Sequence, residues 1–338
     1  MSAVSPAAAA AGAPLLQRFL SAPYALAMAP GFFRFYAHIG CLDALAEMGL
    51  LNAKEVAGAS AGALVAGFLA SGKSPKEMAE TVFKINREAI WDVGVGLGLL
   101  RGGKLQALLE RELGSDCQTF ASCKIPCGCS TFDILSLQTQ AVREGPLAIA
   151  MRSSACFPLL FAPVAMNNSL HIDGGVFDHY GLMSLPGVGL SLPGVGPSGV
   201  VVNVVFDQQS IQYTGTTPDH LLPPHLRDKG IDLLTVVLSG LPDVNPFTME
   251  SQGPLAYRCA KQATLAALER CHVQQLNAHH WVFFVSNGAG AREPSTVSSA
   301  SPQRRIAVKA LTSPRPKKSN FPVIVAAKRK THKKEKKD

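Results

Sequence analysis

Residues Glu55 to Gly67 read Glu-Val-Ala-Gly-Ala-Ser-Ala-Gly-Ala-Leu-Val-Ala-Gly, and within them stands Gly58-x-Ser60-x-Gly62. A serine with glycine two positions away on each side is the pattern of a nucleophile elbow. A short apolar strand ends, the chain turns sharply, and a helix begins at once, so the hydroxyl projects from the turn. Gly58 and Gly62 have to be small because neighbouring backbone passes close to such a turn. The following helix aims free N–H groups and a partial positive charge at the serine oxygen. That combination suits nucleophilic acyl transfer. The competing reading is a tight strand–helix connection with Ser60 as the helix cap.

Other reactive side chains carry weaker signals. His38 falls on a helical pattern and reads as a histidine satisfied within the fold. His171 and His179 flank Asp173-Gly174-Gly175, which leaves a Ser–His–Asp arrangement open, although the serine lies early in the chain for that order. Asp173 also reads as a turn residue ahead of two glycines. Cys123, Cys127 and Cys129 lack a second close ligand pair, and buried thiols are the expectation. No Asp-x-Asp-x-Asn-Gly loop is present, so neither calcium nor any other metal or cofactor is expected.

These residues need a scaffold, and the pattern along the chain supplies one. Tyr24–Met28 reads as a first buried strand, broken by Pro30-Gly31. Ile39, Leu42, Leu45 and Met48 share one face of a helix over 37–48. A short strand near 55–57 leads into the elbow and a helix to about Ser71. Ser74 and Pro75 start another helix, expected to reach about Ile90. A glycine-rich loop spans 94–103, followed by a helix over 104–113. Strands are expected near 125–132 and 135–142, a helix from Gly145, and short strands to Asp173. Ser184-Leu-Pro-Gly-Val-Gly189 recurs at 191–196 as a loop expansion. Val200–Phe206 and Leu233–Leu238 read as buried strands, 256–275 as a long helix, and Trp281–Val285 as a late strand. Strands alternating with helices imply an α/β fold with a mostly parallel sheet.

The 338 residues and the 47% hydrophobic fraction suit one large α/β domain. A flexible lead is expected over 1–22, the domain over 23–286, and a disordered tail over 287–338. No apolar run is long enough for a membrane-spanning helix. The Ala-rich start lacks the pattern of a secretory signal, while leaving a plastid or mitochondrial transit role open. Eight scattered cysteines argue against a disulfide framework and for a reducing, cytoplasmic setting. The net charge of +8 is local. Residues 314–338 hold ten of the 32 basic and two of the 24 acidic residues, which leaves a neutral body.

Three segments in order resemble one family: Pro30-Gly31-Phe32-Phe33-Arg34-Phe35-Tyr36-Ala37-His38-Ile39-Gly40, then Gly58-Ala59-Ser60-Ala61-Gly62, then Arg152-Ser153-Ser154-Ala155-Cys156-Phe157-Pro158 continuing to Asp173-Gly174-Gly175. Together they resemble the patatin-like phospholipases over about residues 24–205. The resemblance implies a three-layer α/β/α acyl hydrolase with a Ser–Asp dyad, Ser60 as nucleophile and Asp173 as general base. It also implies an oxyanion loop at Pro30–Phe35, where only Gly31 and Arg34 match the family's Gly-Gly-Gly-x-Arg/Lys-Gly. Gly31 and Phe32 still offer two N–H donors, whereas Pro30 offers none. If the family glycines serve positive φ, Phe32 is strained. Phe32, Phe33, Phe35 and Tyr36 are candidates for an acyl pocket or for plain core packing.

The expected substrate is a phospholipid or other glycerolipid acyl ester. The rivals are a Ser–His–Asp esterase and a catalytically weak lipid-binding protein on the same fold. The tail 314–338 is a candidate for peripheral contact with anionic membranes or for a nuclear address. Its basic cluster, Lys328-Arg329-Lys330 followed by Lys333-Lys334 and Lys336-Lys337, is interleaved by no stacking aromatic, so specific nucleic-acid recognition is not expected.

Overall fold

The computed structural model describes residues 15–187, 199–207, 221–227 and 229–288. The tail 314–338, the first fourteen residues and the second copy of the Ser-Leu-Pro-Gly-Val-Gly repeat lie outside them.

The centre is a sheet whose core strands all run parallel. β1 (Tyr24–Met28), β2 (Ala53–Ala59), β4 (Cys127–Asp133), β9 (Val200–Phe206), β10 (Asp232–Ser239) and β12 (His280–Ser286) stand in the order β12-β10-β9-β1-β2-β4. Antiparallel strands finish both ends. β11 (Val273–Asn277) lies beside β12, while β5 (Gln138–Val142), β8 (Ser169–Asp173) and then β7 (Val164–Met166) extend from β4. The central strands are apolar on both faces, as a parallel sheet covered on both sides requires. Along β1, Tyr24, Leu26 and Met28 join one core, and Ala25 and Ala27 join the other.

The first core packs the sheet against α2 (Phe35–Glu47), α3 (Ala61–Ser71), α4 (Pro75–Phe83), α6 (Gly103–Leu113), α7 (Leu147–Ser154) and α8 (Met249–Arg270). Among the described residues the second core is closed by Leu182, Leu185, Leu221, Leu222 and Leu226, the last in a 3-10 turn. The chain leaves β1 toward β2 on one side and returns to β9 on the other. The loops after β1 and β2 therefore meet at the carboxyl edge of the sheet, where open α/β sheets place their sites.

Four details differ from the sequence expectation. Residues 15–21, assigned to the flexible lead, form a helix, α1. Its Leu16, Phe19 and Leu20 make an i, i+3, i+4 stripe in the core, with Phe19 against Trp281 at 4.9 Å. The helix starting at Pro75 stops at Phe83 instead of Ile90. Asn86 is extended there, and its side chain accepts from the Ala89 N–H at 2.9 Å to cap a short α5 (Arg87–Ile90). α8 begins seven residues before the expected Ala256, because Gly253 seats on the ring of Tyr36 and Met249 is buried. It also ends early, at a left-handed Cys271, and frees Val273–Asn277 to pair with β12. The glycine-rich loop contains β3 (Gly98–Leu100), paired in parallel with β6 (Leu159–Phe161). No described helix is long and apolar enough to cross a membrane.

Candidate active site

Ser60 sits between β2 and α3 with φ 53° and ψ −121°. That region is costly for any residue with a Cβ and survives only where the surroundings hold it. Two glycines and a second serine do so. A Cβ on Gly58 would stand 2.3 Å from the Gly62 carbonyl carbon, and one on Gly62 would stand 2.1 Å from the Met28 carbonyl oxygen. The Ser60 N–H donates to the Ser154 Oγ at 2.9 Å, and Ser154 donates onward to the Ser130 carbonyl at 2.6 Å. Ser60 occupies the cap position of α3 but makes no side-chain cap bond. Its hydroxyl donates instead to Asp173 Oδ2 at 2.6 Å, across 113 positions of sequence.

The sheet makes that meeting possible. Ala59 at the end of β2 is in register with Ser130 of β4, and Thr131 of β4 with Asp173 of β8. Asp173 is almost wholly buried, and its second oxygen accepts the Gly175 N–H at 2.7 Å. Burial pushes its carboxyl up to about 7, against the opposing pull of the bonds from Ser60 and Gly175. Both glycines after it are forced by contact. A Cβ on Gly174 would meet the Ser130 carbonyl oxygen at 2.0 Å, and one on Gly175 would meet Pro30 at 2.5 Å. The aspartate turn thus leans on the loop that follows β1.

In that loop the Gly31 Cα faces the ring of Phe206. Phe32 adopts φ 56°, the conformation its sequence position made costly. Its ring packs edge-on against Phe33 at 4.9 Å and Phe157 at 5.4 Å. The Gly31 and Phe32 N–H groups donate to nothing among the described residues, whereas Arg34 N–H closes the turn on the Gly31 carbonyl at 2.9 Å. Arg34 lies over the Phe206 ring at 5.0 Å and pairs with the exposed Asp243 at 3.2 Å, so it braces the loop from behind.

None of the three histidines bonds to Ser60 or Asp173. His38 is buried, with Nε2 at 2.9 Å from the Ala29 carbonyl, and burial holds its pKa down at about 4. His171 meets Thr131 Oγ1 at 3.0 Å, and His179 is exposed. Cys127 and Cys129 are buried in β4, and no described cluster of three ligating side chains forms a metal set.

From Ser60 a cavity with some 860 Å³ of empty space, counting its open mouth, extends between the helices. Its wall along α3 is Ala61, Leu64, Val65 and Phe68. Val82, Leu105 and Leu108 face them, while Phe32 and Phe157 stand with Ser60 and Asp173. Of the four aromatics expected at an acyl pocket, Phe32, Phe33 and Phe35 line it. Tyr36 instead is core, its hydroxyl bonded to the Val82 carbonyl at 3.3 Å.

Two supporting residues escaped the sequence reading. Ser154 lay in a recognised segment, but its bond to Ser60 joins positions 94 apart. Asp178 is fully buried. It takes the Ser130 hydroxyl and the N–H groups of Leu182 and Met183, and so shapes the turn after the aspartate motif.

The chain is similar to several known proteins. Uncharacterized NTE family proteins of Mycobacterium bovis and Mycobacterium tuberculosis are 32% identical over 172 residues, covering 50% of this chain and 47% of theirs. The chain therefore spans about half the length of these relatives. Among solved structures, VipD from Legionella pneumophila aligns over 65% of this chain and 50% of its own at 13% identity, with a TM-score of 0.42. The type III effector ExoU aligns over 75% and 54% at 15% identity, with a TM-score of 0.38. The family model for patatin-like phospholipase matches residues 26–185, a family-model domain that runs from β1 through the elbow and Asp173.

Proposed function

We propose that this protein is a lipid acyl hydrolase that cleaves carboxylic esters of phospholipids or other glycerolipids, with Ser60 as nucleophile and Asp173 as general base. The observation that carries the reading is the 2.6 Å bond from the serine hydroxyl to a buried carboxylate whose pKa lies at about 7. A base of that strength is half ionised at neutral pH and well matched to proton transfer there.

As Ser60 Oγ attacks the ester carbonyl, Asp173 takes its proton. The oxyanion faces the free N–H groups of Gly31 and Phe32, whose geometry is fixed before the charge develops. Asp173 then passes the proton to the leaving alkoxide. In the second half it accepts a proton from the water that attacks the acyl-serine, then returns it to Ser60 Oγ as the acyl–oxygen bond breaks and the carboxylic acid leaves. The acyl chain lies in the cavity along α3. The basic segment 314–338 adds salt-sensitive attraction to anionic membranes without entering the chemistry.

Labelling with an active-site-directed fluorophosphonate, together with acyl release from a lipid panel, tests the assignment. Wild type labels and releases fatty acid, and Ser60→Ala does neither while keeping its fold. A wild-type protein that binds lipid yet neither labels nor turns over is instead a lipid-binding protein.

A further inference from the structure

The segment Val93-Gly94-Val95-Gly96-Leu97-Gly98-Leu99-Leu100 alternates glycine with large aliphatic residues and carries no charge or hydroxyl. An alternating strand normally hides one face. Here Val93, Val95, Leu97 and Leu99 are all exposed, Val95 fully and Leu97 at 71%. The segment folds back on itself, with Val93 bridging Leu100 and the Gly94 N–H donating to the Leu99 carbonyl at 3.2 Å. Its tip, Val95 to Leu97, is largely uncovered by the described residues.

The position of this loop says what covers it. Gly98 and Leu100 pair with Leu159 and Phe161 of β6. Leu99 therefore shares its side of the small sheet with Leu160, a wall residue of the cavity. Leu159 is 84% exposed, and Phe157, half exposed, stands at the cavity beside Phe32. One apolar surface thus runs from the loop tip to the opening above Ser60. At the base of the loop the side chains change character. Trp91 lies half-buried against Phe247, with the Arg87 guanidinium 5.3 Å from its ring centre. Arg101 lies across Gly94, and the exposed Lys104 donates its ammonium to the Glu88 carbonyl at 2.9 Å. An apolar tip above a collar of tryptophan, cations and the backbone-bonded carboxylate of Asp92 matches the depth profile of a bilayer, hydrocarbon first and polar headgroups next. A protein partner would call for polar rim contacts around the tip, and residues 93–100 offer no side-chain donor or acceptor.

We propose that the 93–100 loop, with Leu159 and Phe157, is a membrane-insertion surface. It places Val95 and Leu97 among acyl chains and Trp91 at headgroup level, so a substrate tail slides from the bilayer into the cavity without crossing water. The proposal rests on the lipid-hydrolase reading for its purpose, and its test does not need catalysis. The full-length Ser60→Ala protein is mixed with phosphatidylcholine vesicles at high salt, which silences electrostatic attraction by the basic tail. The chain has two tryptophans, and Trp281 is buried in the core against Phe19, so a lipid-induced blue shift of emission reports Trp91. Sedimentation with the vesicles and a blue shift are expected. Adding Val95→Asp and Leu97→Asp should weaken vesicle binding at least tenfold and remove the shift. In the otherwise wild-type chain the same pair should leave hydrolysis of a soluble short-chain ester unchanged, which also shows that the fold is intact. Failure of the parent to bind neutral vesicles, or equal binding by the aspartate pair, overturns the proposal. So does a lipid-free dimer that the aspartate pair dissolves, since a second copy would then be the occupant. Failure of the hydrolase reading shows separately, as an absence of short-chain turnover by wild type.

Discussion

The loops after β1 and β2 lie side by side at the same edge of the sheet, and each forces one non-glycine residue into positive φ: Phe32 at 56° and Ser60 at 53°. They hold that conformation by different means. At the elbow the support is polar and rigid, with a bond from the Ser60 N–H to Ser154, one from its hydroxyl to Asp173, and backbone in contact with Gly58 and Gly62. After β1 the support is aromatic, with Gly31 against Phe206 and Phe32 wedged between Phe33 and Phe157. Backbone cannot yield to an added methyl group, whereas a ring can turn. The elbow is therefore the stretch where sequence freedom is smallest. The β1 loop can exchange glycine for phenylalanine and keep two N–H groups that no described residue accepts.

The largest effect should come from removing the polar half. Asp173→Asn keeps the shape and deletes the proton acceptor, so turnover should fall by about two to four orders of magnitude. Single substitution of His38, His171 or His179 should leave most activity, and an inactive, folded His179→Ala would replace the dyad with a triad. The pKa of about 7 adds a signed test. In wild type, kcat/KM should rise with pH along a limb centred near 7, as Asp173 ionises. Stability should run the other way. The folded state holds this proton more tightly than the unfolded chain, so the contribution is greatest below the unfolded carboxyl pKa and is lost as pH rises through about 7. Relative to wild type, Asp173→Asn should gain in urea midpoint between about pH 4 and 8. A flat difference would mean that the carboxyl is not desolvated.

Next comes the contrast between the glycines. Gly62→Ala pushes a methyl group into the Met28 carbonyl and should cost about 3 kcal/mol, the upper end for overpacking. Gly31→Ala meets the edge of the Phe206 ring and should cost about 1 kcal/mol. Equal destabilisation of the two variants in chemical denaturation would remove the distinction between rigid and yielding support.

The rigid half was also the legible half. Gly58 and Gly62 carry a local signal because backbone passes within a few ångströms of each, whereas Asp173 reads locally as a turn residue and only the resemblance pairs it with Ser60. β1, β9 and β10 were legible because a strand buried on both faces has no polar alternation. Legibility failed where packing overruled local pattern. α1 looked like a lead until Trp281 supplied a partner for Phe19. α8 runs through Pro254 because its small residues fit against α2 and Tyr36. Ser154 binds Ser60 and Asp178 binds the Ser130 hydroxyl from far off in sequence, and no local pattern marks a serine that will accept from a backbone N–H 94 residues away.

Ser154 gives the next smaller effect. Ser154→Ala leaves the buried Ser60 N–H without an acceptor, which should lower stability by about 1–3 kcal/mol. It also lets the strained turn relax, and a small misplacement of the nucleophile should lower kcat by about tenfold with KM little changed. Ser154→Thr retains the hydroxyl and should recover part of that stability if the site admits the extra methyl.

The smallest effect should come from the aromatic support, and it separates strain from packing. Phe32→Gly keeps the N–H and removes the ring. Release from the left-handed region returns about 2 kcal/mol, while the added freedom of glycine in the unfolded chain and the lost ring contacts each take back about 1 kcal/mol. Net stability should therefore change little. Turnover of a soluble short-chain ester should stay within about threefold, because the donor is unmoved. The KM for a long-acyl lipid should rise by about threefold to tenfold, the equivalent of removing about 1 kcal/mol of apolar burial beside Ser60. Phe32→Ala removes the same ring but stays strained, so it should be less stable than Phe32→Gly by about 1 kcal/mol. If alanine and glycine unfold at the same denaturant concentration, the positive φ carries no cost at this position. The two loops would then differ only in their chemistry, not in how they are held.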